Sequence, residues 1–334
     1  RVEKRIEAAR GSDGPAVYAG AKKPLEEAAG EAAELVKNLL AAGKVDDPNR
    51  VAFLFPSVTG KAAAAYIGAL EAAGIKTYAP RAGSFLETEE ARLAFGLIGA
   101  TIGFGRAGHM NEGFKAWTER AEATAQRALE ADEGLALFVH DRKAELARAA
   151  ADYEALSALA AARGWDLTAA YDAAAMKRSL VDAAGISGKA KRSLDSAYFD
   201  GLAARKAQAG DPYSLGYVLR RASSLDWSLL DHFYRLCAFD ALKKAFDLAE
   251  GRAGPVDEGP ICNLSLVSGY LARYGGEYGE LIGPELSGGL LARLFFGQYL
   301  SLLFRLGQSE FEDPEDPFPR GRVPFLTIHQ AKGL

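Results

Sequence analysis

Hydrophobic and polar residues follow two different patterns along this chain. In the first part, a short continuous apolar run at 51–55 and a second predicted strand at 75–78 alternate with amphipathic stretches at 24–42, 61–73 and 87–103. A short apolar run between turn residues is typical of a strand that is buried on both faces. Residues 25–103 therefore predict helices and strands that alternate around a parallel sheet.

From about residue 105 the pattern becomes helical. Amphipathic helices are predicted at 113–131, 141–163, 166–183, 189–208, 212–222, 226–249, 263–275 and 285–306, with one candidate strand at 135–139. Residues 310–322 are acidic and rich in proline, which predicts an extended connector, and 325–328 form another apolar run. The simplest topology is an α/β domain that is interrupted by a helical insertion and whose sheet resumes near residue 323.

Composition narrows the class of protein. The chain has 334 residues, of which 49% are hydrophobic and 25% charged, and this is ordinary for a globular protein of about two domains. A net charge of −4 excludes a globally basic nucleic-acid-binding protein but not a local basic surface. Cys237 and Cys262 have no CxxC spacing and are predicted to be free thiols. No membrane-spanning run and no secretory signal are present, so we expect a cytoplasmic protein without a membrane partner.

Two glycine-containing stretches resemble nucleotide-binding motifs but do not meet the requirements of those motifs. Gly60-Lys61 follows a predicted strand, but Phe55 and Ala62 stand where a phosphate loop needs a glycine and a hydroxyl. Residues 103–108 match GxGxxG, but a helix precedes them instead of a strand, so we interpret them as a hinge between the two parts. The histidines show no catalytic spacing, and His109, His140 and His232 are interpreted as surface or core residues.

One turn in the helical part is a candidate for binding nucleic acid. Residues 185–192 read Gly-Ile-Ser-Gly-Lys-Ala-Lys-Arg, a glycine turn that opens a helix and is followed by three cations. Helix N-termini bind phosphate, and lysine or arginine there displaces counterions from a nucleic-acid backbone. Gly188, Lys189, Lys191 and Arg192 are therefore predicted to contact DNA, with a solvated helix start as the alternative.

The end of the chain carries a family resemblance. Residues 327–334 read Thr-Ile-His-Gln-Ala-Lys-Gly-Leu after an apolar run, and they resemble motif V of superfamily 1A DNA helicases, the UvrD/Rep/PcrA group. Residues 51–57 stand in the place of motif IV, and residues 74–90 resemble the family's next segment. The chain is therefore expected to be a piece of a larger protein.

The resemblance implies both a fold and a domain organisation. The fold class is α/β, with a partial RecA-like motor subdomain, 2A, that carries a large all-helical insertion, subdomain 2B. Subdomain 2A would comprise residues 1–105 and 320–334, and subdomain 2B residues 106–319.

The same resemblance implies a function. It predicts part of an ATP-dependent 3′-to-5′ DNA helicase that couples hydrolysis to translocation on single-stranded DNA and to duplex unwinding in repair or recombination. Lys332 and Gly333 would face ATP, and Thr327, His329, Gly83 and Phe85 would face the single strand. ATP and Mg²⁺ would bind the full-length protein with its 1A/1B motor domain. This chain alone would hold no catalytic residue, metal or bound cofactor.

Several alternatives stay open at this point. Pro56 stands where the family commonly has a motif IV arginine, and Thr88 replaces another usual arginine. A non-catalytic DNA- or protein-binding module therefore competes with the enzyme, as does part of a helicase–nuclease resembling RecB or AddA. Phe85 and Tyr78 offer rings for base stacking, with a place in the core as the alternative for both and the preferred one for Tyr78.

Overall fold

The computed structural model describes residues 19–79, 85–105, 111–279, 282–283, 289–306, 318–329 and 331. The strands are β1 Phe53–Phe55, β2 Thr77–Tyr78 and β3 Val323–Thr327. The helices are α1 Leu25–Ala41, α2 Lys61–Ala72, α3 Glu89–Ile102, α4 Glu112–Ala131, α5 Glu133–Ala162, α6 Ala173–Val181, α7 Gly188–Leu194, α8 Ala197–Gln208, α9 Leu215–Ser223, α10 Leu229–Leu236, α11 Asp240–Ala249, α12 Gly259–Tyr278, α13 Leu290–Ala292 and α14 Ser301–Leu306. A π-helical stretch, Arg293–Leu300, joins the last two.

The sheet has three parallel strands in the order β1-β3-β2. Phe53 pairs with Phe325 on one side of β3, and Thr77 pairs with Val323 on the other side. The last strand therefore inserts between two strands from the first part of the chain. The prediction of a sheet that resumes near residue 323 after a helical insertion is confirmed, and the α/β class holds for a chain that is mostly helical.

One face of the sheet carries a cluster of aromatic rings. Phe53 and Phe55 both stack with Phe325, at 5.2 and 5.9 Å between ring centroids, and both meet Tyr66 of α2 at 5.5 Å. Helices α1 and α2 pack on this face. On the opposite face, Leu54 is 48% exposed. Burial on both faces was therefore wrong for β1, because helices α1 and α2 both lie on its phenylalanine side.

The helical part of the chain has two cores. The larger one joins α3, α4, α10, α12 and the π-helical stretch around Phe95, Trp117 and Phe295. The smaller one joins the second half of α5 to α6, α7, α8 and α9. The 30-residue helix α5 contributes to both cores, with Leu135 in the first and Leu156 in the second.

Helix α3 packs with the helical part of the chain. The predicted boundary at residue 105 assigns this helix to the sheet side, whereas Phe95 is fully buried against Trp117 of α4 and Phe295. Residues 93–99 of α3 are all buried, so this helix needs neighbours on every side. By packing, the described residues therefore divide into a sheet unit, within 19–79 and 318–329, and a helical unit, within 85–306.

Several predicted helix bounds change in the structure. The candidate strand at 135–139 is wrong, because α5 begins directly after Asp132, whose carboxylate accepts the Leu135 N–H at 3.0 Å. The single helices predicted at 189–208 and 226–249 are each broken in two, and Ser196 caps the second half of the former. Among the described helices, none is long and apolar enough to cross a membrane.

An ion cluster joins the two units. Asp257, in the turn before α12, accepts hydrogen bonds from Arg322 Nε at 2.7 Å and Arg322 Nη2 at 3.1 Å. It also accepts one from Lys76 Nζ at 2.6 Å. Both cations belong to the sheet unit. Gly321 allows this approach, because it has φ +79° and a Cβ there would lie 2.2 Å from the Val256 carbonyl oxygen. The contact therefore depends on a buried carboxylate and a glycine that no local pattern distinguishes.

Candidate nucleic-acid interface

The carboxyl edge of the sheet brings together residues from both ends of the chain. Thr327 is the register partner of Phe55, and the Ile328 N–H donates to the Phe55 carbonyl at 3.0 Å. Thr327 is partly buried and His329 is exposed. Ligands of open parallel sheets bind at this edge. Both residues therefore lie where a ligand could reach them.

The loop after β1 adds two hydroxyls to this edge. Ser57 Oγ and Thr59 Oγ1 lie 2.9 Å apart, and strand β1 ends at Phe55 before Pro56. The polar side chains that Ser57, Thr59, Thr327 and His329 bring to this edge are hydroxyls and an imidazole, and the exposed Lys61 begins α2 after the same loop. Lys332, Gly333 and Gly83 lie outside the described residues.

Phe85 lies in the core, and the prediction that it faces single-stranded DNA is wrong. Its side chain is buried, and its ring stacks on Tyr270 of α12 with 5.4 Å between centroids. Tyr78 is buried as well. Both rings therefore belong to the core, and neither face of Phe85 is free to stack on a base. The reason is that Phe85 opens the helical unit, where α12 provides an aromatic surface for it.

The basic turn, residues 185–192, is held rigidly by a buried carboxylate. Asp152 of α5 accepts both the backbone N–H and the hydroxyl of Ser187, each at 2.6 Å. Ser187 in turn caps α7, since its Oγ accepts the Ala190 N–H at 3.2 Å. Asp152 is buried, and its two oxygens are used in this way. The turn therefore presents its cations from a fixed backbone.

The cations of the basic turn differ in their partners. Lys189 Nζ lies 3.1 Å from Asp226 Oδ1, and the hydrogen bond from Lys189 holds the pKa of Asp226 below its ordinary value. Lys191 and Arg192 are exposed and make no ion pair within the described part of the chain. Gly188 is the first residue of α7. Two of the three predicted cations are therefore free to meet an anion.

A cavity of about 340 Å³ lies beside the basic turn. One of the cations that line it, Arg148, is not among the residues that the sequence predicts for this site. Arg148 of α5 lines this cavity together with Lys189 and Arg192. Arg148 and Asp152 are four residues apart, so they lie on the same face of α5. The sequence spacing could therefore have identified Arg148, but only once the contact between Asp152 and Ser187 was known. Glu145 and Asp226 line the same cavity, so its charge is mixed.

The thiols and histidines add no further site. Cys237 and Cys262 are not joined in a disulfide and are both half-buried, and burial raises the pKa of Cys237 to about 11. His140 is exposed and His232 is buried, whereas His109 lies outside the described residues. In the described part of the chain, no group of three His, Cys, Asp or Glu side chains could hold a metal ion.

Comparison of the chain with protein-family models, curated proteins and solved structures finds no match.

Proposed function

We propose that this chain forms the second motor part of a superfamily 1A-type DNA helicase, a RecA-like half that carries a helical insertion. The observation that carries the proposal is the position of β3. This strand follows the helical unit in sequence, inserts between β1 and β2, and places Thr327 and His329 at the carboxyl edge of the sheet. The motif V resemblance needs this arrangement, in which a terminal strand completes the sheet that the first part of the chain begins.

In this proposal the two units bind different parts of the DNA. Thr327 and His329 at the edge of the sheet face the single strand, and the basic turn faces duplex phosphates. ATP and Mg²⁺ would bind the full-length protein in the cleft between this part and the other motor domain, and hydrolysis of ATP would supply the free energy for movement. Lys332 and Gly333, which follow β3 in sequence, would face that nucleotide. Coupling of hydrolysis to movement then requires different DNA contacts in the two nucleotide states.

The first test is enzymatic. This chain alone is expected to show no ATP hydrolysis above background, with or without single-stranded DNA, because its sequence contains no phosphate loop. Phosphate release measured with and without a single-stranded oligonucleotide checks this. A rate that rises with DNA would contradict the proposed division of labour. Addition of the separately expressed partner motor domain is the positive control.

The second test concerns the basic turn. Replacing Lys189, Lys191 and Arg192 together by alanine should flatten the dependence of log K on log salt for duplex binding by about 0.9 per lost phosphate contact. The matched control replaces Arg235, Lys243 and Lys244, three exposed cations on α10 and α11, and removes the same charge. An unchanged slope in the first variant, or an equal change in both, would reject a specific role for the turn.

A second candidate function is a non-catalytic DNA-binding module derived from a helicase half. One observation favours it: β1 ends at Phe55 and Pro56 follows, so no arginine at this position reaches toward a nucleotide. The gene on either side of this chain distinguishes the two candidates. An upstream phosphate loop of the GxGKT type and a downstream arginine motif favour the enzyme, and their absence favours the module.

A further inference from the structure

A column of stacked side chains connects the basic turn to the surface of the helical unit. The Arg221 guanidinium lies 4.0 Å from the centroid of the Phe199 ring. Phe199 stacks on Tyr213 at 5.6 Å and 22°, and Tyr213 stacks on Tyr217 at 4.5 Å and 12°. Arg221 and Tyr217 are both on α9, so the column leaves this helix, crosses two rings and returns to it.

The inner end of the column is fixed at the basic helix α7. Arg221 Nη1 donates to the Ser193 carbonyl at 2.9 Å and to Ser193 Oγ at 3.1 Å. Ser193 directly follows Arg192 of the basic turn. Phe199 is buried in the smaller core. The column is therefore bonded directly to the helix that carries the cations of the turn.

The outer end of the column is a tyrosine that is open to solvent. Tyr217 is 40% exposed although Tyr213 covers one face of its ring. Among the described rings, none lies against the other face. The Tyr217 N–H donates to Ser214 Oγ at 3.2 Å in the cap of α9, which fixes the backbone that carries the ring. A ring held parallel in this way can accept another planar ring at little cost in conformational entropy.

Cations lie beside the column as well as beneath it. Lys206 Nζ is 5.8 Å from the Tyr213 centroid and forms an ion pair with Asp211. Arg220 is exposed and lies three residues after Tyr217 on α9, so it neighbours that ring on the helix surface. Aromatic faces flanked by cations are the elements that bind single-stranded nucleic acid, since every base has a stacking face and every nucleotide a phosphate.

We propose that Tyr217 stacks on an unpaired nucleobase of a nucleic acid whose duplex part lies at the basic turn. This inference rests on the proposed function, because it uses the same DNA-binding surface. Removal of one base–aromatic stack is expected to weaken binding of a strand with unpaired nucleotides by roughly 5- to 150-fold. Binding of a blunt duplex should stay within about twofold, because a blunt duplex offers no unpaired base.

The experiment uses 2-aminopurine, a base whose fluorescence falls when it stacks. It is placed in turn at each of the first unpaired positions of a tailed duplex, with a blunt duplex as reference. The wild-type chain should quench the probe at one position and bind the tailed duplex more tightly. Tyr217→Phe should keep both effects, and Tyr217→Ala should lose both. Tyr234→Ala, which removes a tyrosine that is 56% exposed on α10 outside the column, is the matched control.

The outcomes separate this inference from the proposed function. If the duplex binds but Tyr217→Ala keeps the quenching and the advantage of the tail, the inference fails and the proposed function stands. If the blunt duplex does not bind, duplex binding by the basic turn fails, and a single-stranded oligonucleotide with the same probe still tests the stack. The inference is overturned if quenching is equal in wild type and Tyr217→Ala. It is also overturned if Tyr217→Phe loses the quenching as completely as Tyr217→Ala does.

Discussion

Replacing Asp257 by alanine is expected to lower the free energy of unfolding by about 3–5 kcal/mol. The carboxylate side chain is 3% exposed and accepts hydrogen bonds from both Arg322 and Lys76. Its removal leaves the mostly buried Arg322 guanidinium without a counter-charge, and the desolvation of that cation is no longer offset. The loss should weaken the junction between the sheet unit and the helical unit.

The pKa of Asp257 agrees with this expectation. Desolvation by burial raises it, but hydrogen bonds from Arg322 and Lys76 outweigh the desolvation, and the pKa lies below its ordinary value. A lowered folded-state pKa means that the stabilisation is complete above the unfolded pKa of about 3.9 and is lost as the pH falls through the folded pKa. The cluster is therefore intact at neutral pH, where the measurement is made.

Urea unfolding followed by circular dichroism checks this prediction. The control is Glu112→Ala, which breaks an ion pair between Glu112 and Lys115. The Glu112 side chain is 87% exposed, so this variant should lose no more than about 1 kcal/mol of unfolding free energy. Asp257→Asn should fall between the two, because it keeps hydrogen-bonding atoms and loses the charge. An Asp257→Ala variant within about 1 kcal/mol of wild type would show that the cluster does not hold the junction.

Acidification is expected to destabilise the helical unit through His232. Its ring is fully buried between Phe138, at 5.5 Å, and Trp227, at 5.3 Å between centroids. The Thr101 hydroxyl donates to the Leu97 carbonyl at 3.1 Å, so its oxygen accepts from His232 Nε2 at 3.0 Å. This assigns the proton to Nε2. Within the described residues Nδ1 then has no hydrogen-bond partner, and a proton there would find no acceptor.

Two effects lower the pKa of His232 to about 3: first its burial, and then the positive charge of Arg142. Arg142 lies over the Phe138 and Trp227 rings, at 5.2 and 4.9 Å from their centroids, and pairs with Glu145 at 2.8 Å. The unfolded chain takes up the proton near its ordinary pKa of about 6.5, and the folded chain does not. The stabilisation is therefore complete above about pH 6.5 and declines toward pH 3, by up to about 1.4 kcal/mol per pH unit.

The free energy of unfolding, measured between pH 7 and pH 5.5, checks this prediction. His232→Phe keeps a ring between Phe138 and Trp227 and leaves Thr101 bonded to Leu97, so it should remove most of the slope in this range. His140→Phe, which changes an exposed histidine of α5, should leave the slope unchanged. If wild type and His232→Phe lose stability equally, the buried imidazole is not the cause.

Some parts of the candidate site could be predicted from the sequence. The cations of the basic turn are neighbours in the chain, so their clustering needs no tertiary structure. The residues that hold and extend them could not be predicted. Asp152 is 35 positions before Ser187, and Arg221 is 28 positions after Ser193. Phe85 shows the same limit, because an apolar ring has the same local pattern whether it faces a base or the core.

The sequence by itself determined most of the helices and the three strands of the sheet, and it determined that the last strand belongs with the first two. These properties follow from the spacing of apolar residues and from caps, which act over a few positions. Only the tertiary structure decided that α3 packs in the helical unit, that β1 has an open face, and that Asp257 joins the two units. It also decided that Tyr217 ends a column of rings. Those features depend on contacts between residues far apart in sequence, where packing and the pairing of buried charges outweigh local preference.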